Sequence, residues 1–244
     1  MTTKVEVVLP AHNEGDAIEG TLREFHQIVT EQNDVDLEFI VCEDGSTDNT
    51  VAVILHVAKD LPIQLITSSK RKGYSRAVID GFKRSSADYV GFIDSDGQCD
   101  PSDFRLLWEE RSTADLIVGY RNPRNDNIIR RLMSGAFGVV YKTLFPVRLK
   151  DPSSPYLLIS RRALKTTMQG ETGILAQGFW WEFYARATAA GVSIFEVPIN
   201  HRVRAAGETV VYRPAKIPRI AAEHLAGLWK LRAELLQRTR NREQ

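Results

Sequence analysis

Long apolar runs are missing from these 244 residues, and no stretch approaches the ~20 that a membrane-spanning helix needs. Cysteine is scarce. The two present, Cys42 and Cys99, form no CxxC pair and are too few for a disulfide scaffold, so reduced thiols in a cytoplasmic protein are expected. The opening MTTKVEVVLP lacks a basic segment running into an apolar core, and no export signal is expected from it. Net charge is nearly absent as well, with 32 Lys plus Arg against 31 Asp plus Glu. No GxGxxG follows the first apolar run and no GxxxxGK[ST] occurs anywhere, which removes support for a nicotinamide cofactor or a P-loop nucleotidase. Internal repeats and low-complexity linkers are lacking too.

What remains is a folded, soluble composition, 43% hydrophobic and 26% charged. The charge is unevenly spread. Residues 201–244 carry ten Lys or Arg and four Asp or Glu, giving +6, whereas the first 200 carry 22 against 27, giving −5. Basic excess alone usually marks a solvated face, and without interleaved aromatics or a known module it gives no ground for nucleic-acid binding.

The first 120 residues alternate short apolar runs with helical patterns. Strands are expected at 5–9, 37–42, 63–67, 89–94 and 115–119, with helices at 16–30, 48–59, 73–85 and 102–111. Ser46 or Thr47 is a candidate N-cap for the second helix, as is Asp100, before Pro101, for the fourth. Apolar strands separated by helices predict an α/β fold with a mostly parallel central sheet flanked by helices. Further on come an amphipathic stretch at 127–145, a short Pro- and Ser-containing segment DPSSPYLL, a helix through FWWEFYARATAAG and a strand SIFEVPI. A basic amphipathic helix over 214–240 follows, so the expected organisation is a domain at 1–212 and a helical extension at 213–244.

In such sheets ligands bind beyond the carboxyl ends of the strands. Three of those loops read PAHNEG, EDGSTDNT and DSDGQ. Each is rich in carboxylates where a generic turn needs only turn formers. Asp94 and Asp96, two residues apart after an apolar strand, can offer oxygens to one hard cation, Mg²⁺ or Mn²⁺, whose other sites water and a diphosphate would fill.

The series VVLPAHNEG, VCEDGSTDNT, KGYSRAVIDGF, DSDGQ, GYR, FWWEF, EVPI and HRVRAAGET, over about residues 4–212, resembles family 2 glycosyltransferases of the GT-A fold, in particular the dolichyl (polyprenyl) phosphate mannose synthase branch. The resemblance implies a metal-dependent, inverting sugar transfer to a polyprenyl phosphate from GDP-mannose, or UDP-glucose as runner-up. It implies that Pro10, Ala11, Asn13 and Glu14 form the first nucleotide loop, that Asp44 bonds the base, and that Lys72 and Gly73, with Arg76 nearby, flank the nucleotide. By the same resemblance Asp94, Asp96 and Gln98 form the metal site. Arg121, Arg131, Ser134 and Arg204 match positions holding the phosphates of donor and acceptor.

Other residues admit two readings. Glu182 lacks the adjacent Asp that would complete a Glu-Asp pair, so it either orients sugar or arginine or forms a structural salt bridge. A phosphomonoester acceptor, with a second pKa of about 6, would need no base. Trp180 and Trp181 are expected in packing, and His201 opens HRVR. Where the branch shows Ser/Thr-Gly-Phe-Arg/Lys after an aspartate, this chain has Asp151 and then Ser153, Ser154, Pro155, Tyr156 and Leu157, with the basic residue missing and proline in place of glycine, which bears on sugar and acceptor identity. Stretches 127–145 and 217–236 fit a peripheral position on the cytoplasmic face of a membrane; packing on the domain, or a homodimer contact, is the other reading. A transferase using a soluble hydroxyl acceptor and a non-catalytic nucleotide-sugar-binding protein are the competing functions.

Overall fold

The computed structural model describes residues 2–122, 137–170, 172–175, 178–202 and 217–242. Arg131, Ser134 and Arg204, three of the expected phosphate-binding residues, lie outside them. Seven strands form one sheet: β1 (Thr3–Ala11), β2 (Val35–Glu43), β3 (Ile63–Ile66), β4 (Tyr89–Phe92), β5 (Leu116–Arg121), β6 (Leu157–Ser160) and β7 (Ile194–Ile199). Their order is β3-β2-β1-β4-β6-β5-β7. All pairings are parallel except those of β6, which runs antiparallel between β4 and β5. The mostly parallel α/β sheet expected from the apolar runs is therefore present.

Strand side chains alternate faces with period two. Val8, Ile40 and Phe92 bury in one apolar cluster and Val7, Leu9 and Phe39 in another, so the sheet is covered on both faces. Helix α1 (Ile18–Gln32) buries Ile18, Leu22, Phe25 and Val29, a stripe at helical spacing on the second cluster. Helices α2 (Thr50–Val57), α3 (Tyr74–Arg84) and α4 (Phe104–Glu109) follow the next strands, and residues 137–144 form α5. Then come α6 (Arg161–Thr167), α7 (Phe179–Ala189) and α8 (Ile217–Arg242). Asp100 caps the turn at Pro101–Asp103 by accepting the Ser102 N–H at 3.0 Å, as expected. The expected cap at Ser46 or Thr47 is corrected. Asn49 stands at the N-cap of α2 without a side-chain bond, and Asp48 takes the Thr50 N–H instead. Strand β6 and helix α6 emerge from a segment in which sequence reading placed no element.

Helix α8 is held to the domain by its inner stripe, where Leu228 and Leu231 are fully buried. Buried Arg186 on α7 also reaches Glu234 at 2.7 Å. His224 sits half-buried beside Phe137, ring centroids 5.5 Å apart, and its Nε2 has no hydrogen-bond partner among the described residues. Burial holds its imidazole below the ordinary range, although Glu223 pulls the other way; burial also lowers His26. A histidine depressed on folding contributes stability that is complete above its unfolded pKa of ~6.5 and is lost as pH falls through the folded value. The melting temperature should therefore drop as pH falls below the unfolded value of about 6.5, before most carboxylates titrate. His224→Phe should flatten that drop in a calorimetric pH series.

Candidate active site

Register places the motif loops together. Pro10 pairs with Cys42 and Ala11 with Glu43, so the chain leaves β1 and β2 side by side. Val8 pairs with Phe92, and Ile93 donates to the Val8 carbonyl at 3.2 Å, which puts Asp94 beside the end of β1. Ile66 pairs with Cys42, so the KGYS segment enters next to Asp44. The loops after β1, β2, β3 and β4 thus share one end of the sheet, as strand polarity requires.

The first two loops are tied to each other. Asp44 N–H donates to the Ala11 carbonyl at 2.9 Å, and His12 Nδ1 lies 2.9 Å from the Asp44 carbonyl. Asn13 holds φ of 54°, a left-handed conformation that Asn tolerates better than most residues. From there its Oδ1 accepts the Thr47 N–H at 2.9 Å, while its own N–H donates to Ser46 at 3.1 Å. Glu14 N–H donates to Thr50 Oγ1 at 2.9 Å.

Asp44 is nearly fully buried, and its two carboxylate oxygens accept the backbone N–H groups of Lys72 and Gly73 at 2.6 and 2.7 Å. The residue expected to bond a base therefore also fixes the third loop. Two glycines make this possible. Gly45, at φ of 67°, lets Arg71 and Lys70 pass where a Cβ would come within 2.6 Å of the Arg71 nitrogen, and Gly73 turns the chain at φ of 96°. The Lys72 ammonium is paired with Asp80 on α3.

After β4, Asp94 and Asp96 are both partly exposed. Asp96 accepts the Gln98 N–H at 3.1 Å. Asp94 Oδ1 accepts from Tyr74 Oη at 2.9 Å, and the Tyr74 oxygen in turn accepts from Trp180 Nε1 at 2.9 Å. Tyr74 and Trp180 are site contacts that sequence reading did not assign. Tyr74 is 40% exposed overall, yet desolvation at its hydroxyl, then the neighbouring Asp94 charge, hold the phenol well above its usual range, so it stays a donor. Burial pushes the Cys42 thiol up to about 12 and Cys99 up as well; both stay protonated and unreactive.

The chain after β7 lies against this loop. Cys99 and His201 form an antiparallel bridge, and Arg202 N–H donates to the Gln98 carbonyl at 3.0 Å. Gln98, expected as a metal ligand, turns its amide nitrogen to the Arg202 carbonyl at 3.3 Å. Arg202 itself binds Glu24 on α1 at 2.7 Å and Asp100 at 2.9 Å.

Two expected ligand contacts meet other partners here. Arg121, at the end of β5, forms a two-pronged pair with buried Asp151 at 2.7 and 2.9 Å and also donates to Ser153 at 2.7 Å. The segment that lacks the branch's basic residue thus supplies an acid that neutralises Arg121. Glu182, only 1% exposed, accepts the N–H groups of Gly173 and Leu175 at 3.0 and 2.8 Å and Arg186 Nε at 2.8 Å. Its structural reading is the one the geometry favours, because a carboxylate so enclosed is anchoring a loop. Trp180 and Trp181 pack as expected, Trp180 against Phe92 at 4.5 Å and Trp181 against Phe137 at 4.8 Å.

The sequence model of Glycosyl transferase family 2 matches residues 6–168, and the chain belongs to that family of glycosyltransferases. It is 28% identical over 216 residues to a dolichol-phosphate mannosyltransferase of Pyrococcus furiosus, covering 84% of this chain and 58% of the relative. A dolichyl-phosphate beta-glucosyltransferase of Dictyostelium discoideum is 22% identical, with 94% and 77% covered. An undecaprenyl-phosphate mannosyltransferase of Micrococcus luteus is 24% identical, with 84% and 86% covered. The chain thus spans little more than half of the archaeal relative and most of the other two. In fold it is similar to mannosyl-3-phosphoglycerate synthase from Rubrobacter xylanophilus, with a TM-score of 0.71 at 15% identity over 98% of this chain and 75% of that one. Glucosyl-3-phosphoglycerate synthase from Mycobacterium tuberculosis, solved with Mn²⁺ and UDP, gives 0.65 at 20% identity over 95% and 80%.

Proposed function

We propose that this chain is a metal-dependent, inverting hexosyltransferase that moves mannose or glucose from a nucleoside diphosphate sugar to a polyprenyl phosphate. The observation that carries the reading is the meeting of the Asp44 loops with Asp94 and Asp96 at one end of a family 2 sheet. The names of the three relatives above, each a dolichol- or undecaprenyl-phosphate sugar transferase, support the acceptor class; GDP-mannose first and UDP-glucose second are the proposed donors.

Asp94 and Asp96 are the residues to hold Mg²⁺ or Mn²⁺. Among the described residues no group of three His, Cys, Asp or Glu gathers. Two carboxylates fit a hard ion that completes its shell with water and the donor's own diphosphate. Such an ion, when bound, supplies charge neutralisation for the leaving diphosphate. Pro10, Ala11, Asn13, Glu14, Asp44, Lys72 and Gly73 hold the nucleotide, Arg131, Ser134 and Arg204 are the proposed phosphate contacts, and Arg121, paired with Asp151, is a further one. A phosphate oxygen of the acceptor attacks the anomeric carbon as the diphosphate departs from the opposite face, inverting that centre. Positioning of two anions at close range is then the main contribution of the chain.

The enclosure of Glu182 favours this acceptor over a soluble hydroxyl. An alcohol needs a base to take its proton, whereas a phosphate is already anionic. The outer face of α8 leaves Leu225, Trp229 and Leu236 exposed beside Lys230 and Arg240, which suits a peripheral position on an anionic bilayer. Among the described residues no helix is long and apolar enough to cross one.

A melting series with GDP, UDP, GDP-mannose and UDP-glucose, each with and without Mn²⁺, tests the assignment. A ligand at a hundred times its Kd stabilises by about 2.7 kcal/mol. One nucleotide should raise the melting temperature in a Mn²⁺-dependent way. No shift with any of them would remove the transferase reading.

A further inference from the structure

Tyr74 lies in the KGYS segment, and beyond any nucleotide contact there it joins three elements. It opens α3, its hydroxyl reaches Asp94 at the end of β4, and it is met by Trp180 from the first turn of α7. Hydrogen-bond chemistry fixes the direction of this chain. An indole N–H can only donate, so the Tyr74 oxygen is its acceptor, and the phenolic proton is left to point at the Asp94 carboxylate. Bonds arranged head to tail in this way polarise one another.

The Trp180 end of the anchor is packed: Trp180 is 7% exposed and edge-on to Phe92 at 4.5 Å, while Tyr74, 40% exposed, meets Phe92 at 6.4 Å. On the other side, Lys72 and Gly73, the two residues before Tyr74, are the ones whose N–H groups the Asp44 carboxylate grips. Residues 72–74 therefore span the two acidic loops, bound through backbone to Asp44 and through side chain to Asp94.

We infer that Tyr74 is a positioning residue for the metal-binding carboxylate: its hydroxyl, oriented by Trp180, fixes the rotamer of Asp94 and holds one carboxylate oxygen so that the group is set for a divalent cation before the nucleotide arrives. The inference rests on the proposed transferase reading. Carboxylates that ligate metals are themselves hydrogen-bonded, and loss of such a partner typically costs ten- to a hundredfold in metal affinity.

Tyr74→Phe removes the hydroxyl and keeps the ring on Phe92. Mn²⁺ binding, read from the spectrum of free Mn²⁺ by electron paramagnetic resonance in the presence of saturating UDP or GDP, whichever stabilises the wild type, should weaken roughly ten- to a hundredfold. Affinity for the same nucleotide without metal should stay unchanged, a split that general loosening of the fold would not produce. In an Asp94→Asn background, Tyr74→Phe should add little further loss, because the group it positions is already gone. Unchanged Mn²⁺ affinity in Tyr74→Phe, or an undiminished effect in the Asp94→Asn background, overturns the inference while leaving the transferase reading intact. A wild type that binds Mn²⁺ with neither nucleotide overturns both.

Discussion

Asp96→Asn should abolish sugar transfer while leaving the fold intact. Asp96 is partly exposed and caps only the local turn through the Gln98 N–H. Amide replacement preserves size and an oxygen acceptor for that turn. The melting temperature of the free protein should therefore move little. What disappears is a charged oxygen of the proposed cation site. A metal acting as Lewis acid contributes several kcal/mol to stabilising charge in the transition state, and each 1.36 kcal/mol is tenfold in rate. Initial rates with the donor found by the melting series should fall by about three orders of magnitude, with the Mn²⁺-dependent part of the nucleotide's stabilising effect lost in parallel. Full activity in Asp96→Asn would mean that the cluster is only a turn, and the chain would then keep the family's sheet without its chemistry.

Much of this arrangement is legible in the residues themselves, for reasons that separate local from non-local information. Apolar runs such as VEVVL and LEFIVC announce β1 and β2 because both sheet faces are covered and each strand must be hydrophobic throughout. Polarity of a parallel sheet then assigns PAHNEG, EDGSTDNT and DSDGQ to the same end without any coordinates. Strand β6 is hidden because YLLIS is short, follows two prolines and runs against its neighbours, so neither periodicity nor alternation marks it. The partners of charged groups are hidden for a different cause. Arg121 meets Asp151 across thirty residues and Tyr74 meets Asp94 across twenty, and pairings at that separation are set by how the layers stack. The Tyr74 position did carry a signal, a tyrosine opening a helix directly after a glycine loop, but nothing in the sequence says where its hydroxyl ends. Arg121 illustrates the cost of reading a cation by its charge alone. Its partner Asp151 lies thirty residues on, and the pairing shows only when both are seen together.

The largest stability effect should come from Arg186, far from the carboxylate loops. Its guanidinium is 2% exposed and lies between Glu182 at 2.8 Å and Glu234 at 2.7 Å, so one side chain ties α7 to α8. Glu182 in turn holds the N–H groups of Gly173 and Leu175. Arg186→Met fills similar volume but leaves Glu182 buried with its charge uncompensated, and breaking one side of a buried pair costs about 3 to 5 kcal/mol. Denaturant titration should show that loss. The proposed phosphate acceptor sharpens the experiment. If Glu182 were a catalytic base, Glu182→Gln would abolish activity at every pH at which the protein is folded. As a loop anchor, it should instead lower stability, with the pH dependence of kcat unchanged. Combining Glu182→Gln with Arg186→Met removes both buried charges, and the double variant should recover part of the stability lost by Arg186→Met alone, because no ion is left unpaired between the helices except Glu234, which is nearer to solvent. Failure of the second substitution to restore anything would show that Arg186 acts chiefly through Glu234 and the docking of α8.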